Sequence, residues 1–431
     1  MKKYTGYWLK RVREKRNLKQ KDVAGDEFTR SYISQVETGD LTLSTYARIY
    51  ITKRLKLPKS YFDIGLLADE KKRLDELIKD VDNLSDSERY DEALKKVKDA
   101  LKISKGAKND NYINIFSLKL ARILIEKKDL DKAEDILKKV NKYFTEEKDF
   151  NNLSYSNYWT AILFIYKKNY ENAVFMLNSA IEKNSKLKIS DLSLKARATT
   201  KIAQIYRFIE NYRGSRQKYI QAINIAKKIK DDYILAMAYW GYSLLMQREE
   251  NYSEAIKYYN LASSIYEKLR NEHRLIKINN NLASIYYYKG DHDKVINLTK
   301  KVVNISKEKG YEEELSYALL NSAKAKRDKG FLDEAESDLK ESIVLFDKLK
   351  DSRMLGVAYV ALGLVYKAKK EKDKALLNFK KAIEIFKAIG QKTYINSAYG
   401  EIIRFYKDTG DLDKEREYTK ELINITKRVK F

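Results

Sequence analysis

Cysteine is absent from the 431-residue chain, and histidine occurs only twice, as His273 and His292. Without thiols the chain can form no disulfide, no Cys-based zinc site and no thiolate nucleophile. Two histidines are too few for a His-rich metal site, and the sequence carries no Walker loop, zinc-protease motif or nucleophile elbow. We therefore expect no metal, no cofactor and no free-standing enzymatic activity.

Helix-breaking residues are also scarce, with a single proline, Pro58, and 15 glycines. Hydrophobic residues make up 44% of the chain and charged residues 35%, with many strong helix formers such as Lys, Glu, Leu and Ala. This composition predicts a nearly all-helical protein. At 431 residues, the chain is expected to contain several domains or a repeat array.

Long hydrophobic runs are missing as well. The apolar stretch over 234–246 is shorter than the roughly 20 residues that a helix needs to span a bilayer. No hydrophobic segment follows the N-terminal lysines, so we expect a cytoplasmic protein without membrane contact. The formal net charge of +25 suits a polyanionic partner, although a compositional bias that enriches Lys, Asn, Ile and Tyr together is the alternative explanation.

A turn-like motif recurs along most of the chain, as in DLDKA at 129–133 and NYENA at 169–173. Its last residue, the anchor, repeats with a spacing of 40, with one exception of 42. The anchors are Ala93, Ala133, Ala173, Ser215, Ala255, Val295, Ala335, Ala375 and Glu415. In most units a small residue lies twelve positions before the anchor, and an aromatic or large apolar residue follows it three positions later. Such units are helix pairs that must stack on their neighbours to bury their apolar faces.

The unit at 359–375, YVALGLVYKAKKEKDKA, carries the pattern most fully and resembles the tetratricopeptide (TPR) repeat. Two features differ from that family: the period is 40 rather than 34, and the proline that closes each repeat is missing. We expect a right-handed TPR-like α-solenoid of about nine helix pairs over 66–431, with a HEAT-like array as the alternative. The first and last units are degenerate, as capping units tend to be.

Residues 1–65 follow a different pattern and are expected to form a separate domain of five helices. Trp8, Leu9 and Val12 lie on one face of a first helix, and Gly39 ends a third helix that Thr29 can cap. This segment holds 15 Lys and Arg against 7 Asp and Glu, a net charge of +8, so positive charge is denser here than in the whole chain. That density favours contact with a phosphate backbone.

The segment resembles the helix-turn-helix of the Cro/C1-repressor (XRE) type. The resemblance rests on Leu9, Arg13, Gln20, Ala24, Thr29, Ser31, Ile33, Ser34, Glu37 and Gly39. It departs from the family in the linker between the second and third helices, which is one residue shorter than the commonest form. The resemblance implies that the third helix reads the major groove of double-stranded DNA, as a dimer on paired half-sites. The DNA-binding residues that it implies are Gln20, Thr29, Arg30, Ser31, Tyr32, Ser34 and Gln35.

Residue types add detail to this DNA-binding hypothesis. Arg30 could bind a guanine edge through two hydrogen bonds, and Gln35 an adenine edge. Tyr32 has local packing as its alternative role. Arg13 and Glu37 are expected to pair with each other as a structural salt bridge.

A helix-turn-helix domain followed by a TPR-like array resembles the peptide-pheromone regulators of low-GC Gram-positive bacteria, the RRNPP group. That resemblance implies a transcriptional regulator used in quorum sensing, with a short signalling peptide bound in the concave groove of the array. It also implies a homodimer, or a higher oligomer once peptide is bound.

The repeat register points to groove residues. With each anchor numbered 20, positions 2, 5, 6, 9, 12 and 13 of the first helix share one face. The expected peptide-binding residues are Arg197, Lys201, Gln204, Trp240, Gln247, Asn280, Asn281, Ser284, Tyr287, Asn321, Lys324 and Arg404. Asn281 and Asn321 both occupy position 6, where an amide can pair with a peptide backbone. The mixture of amides, cations and aromatics favours a partly apolar peptide with an acidic group or a free carboxylate, against the alternative of an ordinary solvated face.

Two other functions remain open from the sequence. The chain could be a DNA-binding repressor of a phage or mobile element whose array only mediates protein–protein contacts. It could also be a bifunctional regulator whose array binds a response regulator in addition.

Overall fold

The computed structural model describes residues 4–428, and helices are the only regular elements in that range. Five helices form the N-terminal domain, which we call the head. They are α1 (Thr5–Lys15), α2 (Gln20–Ala24), α3 (Arg30–Thr38), α4 (Thr45–Arg54) and α5 (Tyr61–Ile64). Trp8, Leu9 and Val12 are buried with Ile33 and Ile51 in one apolar core, as the sequence predicts.

Over 68–428 eighteen helices follow as nine consecutive pairs, which confirms the expected fold and repeat number. Most of these eighteen helices have 17 residues, about one turn more than the helices of a 34-residue repeat. The helices are α6 (Ala68–Asp86), α7 (Tyr90–Gly106), α8 (Asp110–Glu126), α9 (Leu130–Glu146), α10 (Phe150–Tyr166), α11 (Tyr170–Ser185), α12 (Leu192–Phe208), α13 (Tyr212–Ile229), α14 (Asp232–Arg248), α15 (Tyr252–Lys268), α16 (Glu272–Tyr288), α17 (His292–Lys309), α18 (Glu312–Asp328), α19 (Leu332–Lys348), α20 (Ser352–Ala368), α21 (Lys372–Ala388), α22 (Lys392–Thr409) and α23 (Leu412–Arg428).

The chain divides into two compact units, residues 1–225 and 226–431. The first contains the head and the early helix pairs, and the second contains the later pairs. Each is described by itself below.

Small residues let the two helices of a pair pack closely. The anchor side chains are fully buried from Ala93 to Ala375, whereas the last anchor, Glu415, is only half-buried, as expected for a capping unit. In the eighth pair a Cβ added to Gly363 would lie 2.5 Å from the ring of Phe379, so the aromatic ring fills the space that the missing side chain leaves.

The helix ends form without proline. Gly290 follows α16 in the left-handed region at φ 76°, and the next residue, Asp291, caps α17 by accepting a hydrogen bond from the Lys294 amide at 3.2 Å. Asn251 caps α15 in the same way, after Glu250 at φ 58°. Between pairs, Lys350 at φ 57° follows α19, and Asp351 caps α20 by accepting a hydrogen bond from the Met354 amide at 3.0 Å. A left-handed residue followed by an Asx cap therefore closes this repeat without proline.

No described helix combines the length and the apolar character that a membrane crossing requires. Within residues 4–428 no group of three or more His, Cys, Asp or Glu side chains is arranged to hold a metal ion.

Candidate ligand groove and DNA-reading surface

Helix α3 of the head presents a polar face to solvent. Arg30, Ser31 and Gln35 are exposed, and Tyr32 and Ser34 are half-buried, with the Tyr32 ring stacked on Phe28 at 4.8 Å between centroids. These side chains are therefore free to reach a partner laid along the helix, except that Tyr32 is held by its stacking contact.

The N-terminus of α3 is capped as predicted. The Thr29 hydroxyl accepts a hydrogen bond from the Tyr32 amide at 3.1 Å. At the other end Gly39 adopts φ 92°, a left-handed conformation that stops the helix. Thr29 thus has a structural task in addition to any contact with DNA.

A chain of hydrogen bonds joins α1, α2 and α3. Arg13 binds Glu37 through two bonds of 2.6 and 2.9 Å, and the Glu37 side chain is 4% exposed, which confirms the expected structural salt bridge. Hydrogen bonding to Glu37 raises the pKa of Arg13. Gln20 donates to the same carboxylate at 3.0 Å, and its carbonyl lies 3.5 Å from Nε of Arg30. Gln20 is thereby oriented beside the exposed face of α3.

The second unit contains a cavity of about 500 Å³ formed by the first helices of consecutive pairs, α14, α16, α18, α20 and α22. We call it the amide groove. Seven of the residues that the sequence predicted lie in its wall: Trp240, Gln247, Asn280, Asn281, Ser284, Asn321 and Lys324. Its volume is within the range of about 300–1,000 Å³ typical of small-ligand sites.

Asparagine amides tie α16 to α18 at the floor of the amide groove. Asn280 is 8% exposed and donates through Nδ2 to the backbone carbonyl of Glu314 at 2.9 Å. Asn321 in turn donates to the backbone carbonyl of Asn280 at 3.3 Å. Asn281 makes no side-chain hydrogen bond to the described part of the chain. Asn280 therefore has a structural bond that sequence reasoning did not foresee, and Asn281 keeps its whole amide available.

Two polar atoms in the wall are buried without a hydrogen-bond partner among the described residues. They are the indole Nε1 of Trp240, a donor, and Oδ1 of Asn280, an acceptor. A buried polar group left unpaired is costly, and since less than 1 Å² of either atom is exposed, a ligand would pair with them only after the wall side chains shift. One donor and one acceptor are the complement of the C=O and N–H of an extended peptide.

The cations of the amide groove differ in their partners. Lys277 lies 3.1 Å from the carboxylate of Glu314 and is neutralised by it. Lys324 forms no ion pair with the described residues, and burial, together with the nearby charge of Arg327, lowers its pKa to about 8. Arg353 donates to the phenol oxygen of Tyr394 at 3.1 Å rather than to a carboxylate. Lys324 and Arg353 therefore present positive charge to the cavity.

Glu314 holds this region together. Its carboxylate, 6% exposed, accepts from Lys277 and lies 2.9 Å from Nε2 of His273. Burial alone would raise the pKa of Glu314, but the hydrogen bond with His273 and the charge of Lys277 lower it to about 2. The ionised carboxylate thus fixes α16 against α18.

The other predicted groove residues lie elsewhere. Tyr287 accepts a hydrogen bond from Arg327 at 3.0 Å, and its ring centroid lies 6.0 Å from Nζ of Lys324. It therefore lies next to a groove residue without lining the cavity itself. Arg404 is exposed and paired with Glu401 on its own helix.

The predicted residues on α12 belong to the first unit and so cannot be placed in the amide groove. Lys201 and Gln204 are half-buried there. Arg197 lines a different cavity of the first unit, also of about 500 Å³.

That first-unit cavity has a different chemistry. Lys119 pairs with Asp82 at 2.6 Å, and Arg122 pairs with Asp86 while its guanidinium lies 5.2 Å from the Trp159 ring centroid. Its main cations are already matched by carboxylates of the preceding helix pair. The cavity is therefore closer to a self-contained ion-pair network than to a site awaiting an anion.

The groove residues that sequence reasoning missed include Glu314, Arg353 and Tyr394. In the repeat register Arg353 and Tyr394 lie before position 2, outside the face that was taken to form the groove. The first turns of α18, α20 and α22 reach the cavity as well, and extending the face by one helical turn toward the N-terminus would have found both residues.

Comparisons with known proteins agree with this architecture. A tetratricopeptide repeat model matches residues 234–308 and 314–388, and a model of anaphase-promoting complex subunit 5 matches residues 59–169, 116–187 and 165–249. Neither model names a catalytic activity. No curated protein sequence matches the chain significantly.

Several solved structures have the same fold. The apo form of the quorum sensor NprR from B. thuringiensis is 17% identical, with a TM-score of 0.63 over 83% of this chain and 99% of that one. A Rap protein complexed with Competence and Sporulation Factor is 15% identical, with a TM-score of 0.59 over 83% and 98%. Aspartyl phosphate phosphatase F from Bacillus subtilis is 14% identical, with a TM-score of 0.54 over 84% and 95%. At these identities the likeness concerns the fold, which is an all-helical TPR-like solenoid.

Proposed function

We propose that the chain is a sequence-specific DNA-binding transcriptional regulator, controlled by a short signalling peptide that binds in the amide groove. The head would read DNA through α3, with Gln20, Arg30 and Gln35 at the DNA surface. The protein would act as a homodimer on paired half-sites, because one such head contacts only one half-site. A quorum-sensing role fits this arrangement.

The observation that carries the peptide assignment is the unpaired amide of Asn281 in one cavity with the cations of Lys324 and Arg353. Asn281 and Asn321 sit at the same register position in consecutive pairs and repeat an amide along the groove. A ligand with regularly spaced N–H and C=O groups matches such a row, as an extended peptide does.

The charge of the groove defines the ligand further. Lys324 and Arg353 have no carboxylate partner among the described residues, while Lys277 is already neutralised by Glu314. A carboxylate on the peptide, either its C-terminus or an acidic side chain, would supply the missing partner. Leu320 and Val357 in the wall add apolar contact. The proposed ligand is thus a partly apolar peptide with at least one carboxylate.

A fluorescence titration tests the groove. Trp240 is one of three tryptophans in the chain, so a library of short synthetic peptides, each made as the free acid and as the C-terminal amide, can be screened for a change in emission. The change should be lost in Trp240→Phe. Asn321→Ala should weaken binding by about 1–3 kcal/mol, roughly 5- to 150-fold, because a peptide amide would be buried unpaired.

Asn260, exposed on α15, provides the matched control, and Asn260→Ala should bind peptide as the parent does. Equal affinities for the parent, Asn281→Ala and Asn321→Ala would refute the groove assignment.

A DNA-binding assay tests the control of the head. DNA from the region upstream of the protein's own gene is titrated with the chain, with and without the selected peptides, while light scattering reports the oligomer. We expect peptide to change DNA affinity or oligomeric state. Peptide binding without either change would leave an array that serves protein–protein contacts, and peptide-dependent binding of a response regulator would favour a bifunctional protein.

A further inference from the structure

The head and the array are joined without a flexible linker. Only Gly65, Leu66 and Leu67 separate α5 from α6, and both leucines are buried. Gly65 adopts φ 67° directly beneath the indole of Trp8, where an added Cβ would lie 2.2 Å from Nε1. The connection is thus packed into the structure rather than exposed to solvent.

Helix α1 of the head is hydrogen-bonded to the turn between α7 and α8. The indole of Trp8 donates to the carbonyl of Ala107 at 2.7 Å, in a buried position, and the Tyr7 hydroxyl donates to the carbonyl of Gly106 at 2.9 Å. The ammonium of Lys108 lies 4.0 Å from the centroid of the Tyr7 ring. The turn between α7 and α8 therefore holds the head at residues distant in sequence.

The carboxylate of Glu70, in the first turn of α6, binds two cations of α1. Glu70 accepts two bonds from Arg11, at 2.6 and 3.2 Å, and one from Lys15 at 2.9 Å, and it also accepts from the Leu67 amide at 3.0 Å. The Glu70 side chain is 12% exposed. Burial alone would raise the pKa of Glu70, but these hydrogen bonds lower it, so the carboxylate stays ionised.

The other end of the head is held by the array as well. Asn109 donates to the carbonyl of Ile64, the last residue of α5, at 2.6 Å. Within the head, Arg11 donates to the carbonyl of Gly65 at 3.0 Å. The same Asn109 caps α8 by accepting from the Tyr112 amide at 3.0 Å. One side chain thus fixes both the end of the head and the start of an array helix.

Exposed ion pairs contribute little to stability, but this junction is of another kind. Arg11 and Glu70 are bidentate and mostly buried, and Trp8 and Asn109 bond to backbone carbonyls that would otherwise lack partners. Separation of the head would expose all of these groups at once.

We propose that the head and α6–α8 form one rigid body, locked by Trp8, Glu70 and Asn109, so that the array directly sets the orientation of the DNA-reading helix. The regulatory part of this inference rests on the proposed function, while the rigidity does not. In such a protein the spacing and angle of two heads follow from the array, with no independent swing of the head.

Distance measurements between spin labels test the rigidity. The chain has no cysteine, so single cysteines introduced at two exposed positions, Ile49 on α4 and Lys98 on α7, can be labelled without background. Pulsed electron–electron double resonance on the doubly labelled full chain, mixed with an excess of unlabelled chain so that only distances within one protomer are recorded, should give one narrow distance distribution. A broad or multiple distribution in this chain would overturn the proposal.

Variants then test the residues of the lock. Glu70→Gln combined with Trp8→Phe removes the charge and the indole donor while keeping an aromatic ring at position 8, and should broaden the distribution at least twofold. Glu92→Gln is the matched control, because Glu92 pairs only with Arg89 on the exposed face of α7, and the distribution should stay narrow. If the double variant loses helicity by circular dichroism, Glu70→Gln alone is measured. An unchanged width in a folded lock variant would overturn the assignment of these residues.

A second measurement addresses the regulatory part. Glu70→Gln should bind the selected peptides in the amide groove with unchanged affinity, whereas the peptide-dependent change in DNA affinity should fall at least fivefold. An undiminished DNA response in a variant with a broadened distribution would refute transmission through the lock. If no peptide binds the parent chain, the proposed function fails, and the spin-label distances still decide the rigidity.

Discussion

Replacement of Glu314 by glutamine should loosen the amide groove in a pH-dependent manner. The carboxylate is 6% exposed and accepts from Lys277 at 3.1 Å, with His273 Nε2 at 2.9 Å. Glutamine keeps the size and leaves the backbone carbonyl that receives the Asn280 amide. It removes the charge, so Lys277 and His273 lose the anion that compensates their burial.

The magnitude follows from the lowered pKa of Glu314. Its value of about 2 lies below the usual 4.5, and 1.36 kcal/mol per pKa unit gives a contribution on the order of 3 kcal/mol at pH 7. Because the folded-state pKa is depressed, this stability is fully present above about pH 5 and is lost as the pH falls toward the folded-state pKa of Glu314. At pH 3 about 1.5 kcal/mol should remain.

Amide hydrogen exchange measures this effect locally, which suits an array whose repeats need not unfold in one step. Exchange in α16 and α18 is compared between parent and Glu314→Gln at pH 7 and again at pH 3, so that intrinsic exchange rates cancel within each pair. The variant should open on the order of 100-fold more often at pH 7 and about 10-fold more often at pH 3. Glu313→Gln, on the exposed side of the same turn, should match the parent. An equal effect at both pH values would refute the electrostatic reasoning.

Three further substitutions have defined outcomes. Gly363→Ala should lower the melting temperature, because its Cβ would meet the Phe379 ring at 2.5 Å, whereas Gly400→Ala, with open space around its Cβ, should stabilise α22 by about 1 kcal/mol. Similar melting shifts for both would contradict the packing argument. Arg30→Ala should weaken binding to upstream DNA by about 1–3 kcal/mol without changing the melting temperature, since the side chain is exposed. Equal loss of affinity on unrelated DNA would indicate a phosphate contact instead.

The repeat pattern predicted most of the fold because its signals are local and recur. An anchor every 40 residues fixes each turn, and the alternation of small and large residues around Gly363 and Phe379 fixes the packing of a pair. In the head, the sequence predicted the Thr29 cap, the helix end at Gly39 and the Arg13–Glu37 salt bridge. Each of these features depends on residues in or near one helix-turn-helix.

The candidate site was only partly predictable. The register put Asn281 and Lys324 on one face, and both line one cavity, because that face depends on helical periodicity alone. It could not show that Asn280 would bond to the Glu314 backbone, because that contact depends on how far α18 is offset from α16. For the same reason, the lock around Glu70 gave no sequence signal: its partners lie 55 and 59 residues away and follow no repeat.

The two cavities show why register alone does not define a ligand site. Positions 6 and 9 hold Lys119 and Arg122 in the first unit, and Asn321 and Lys324 in the second. In the first unit, both cations form ion pairs with aspartates of the preceding helix pair, so an anionic ligand would have to displace these ion pairs. In the second unit, Lys324 has no such carboxylate among the described residues, and its lowered pKa records the cost of burying it. A carboxylate ligand would remove that cost only in the second unit, so the same helical positions yield an ion-pair network in one place and a receptive groove in the other.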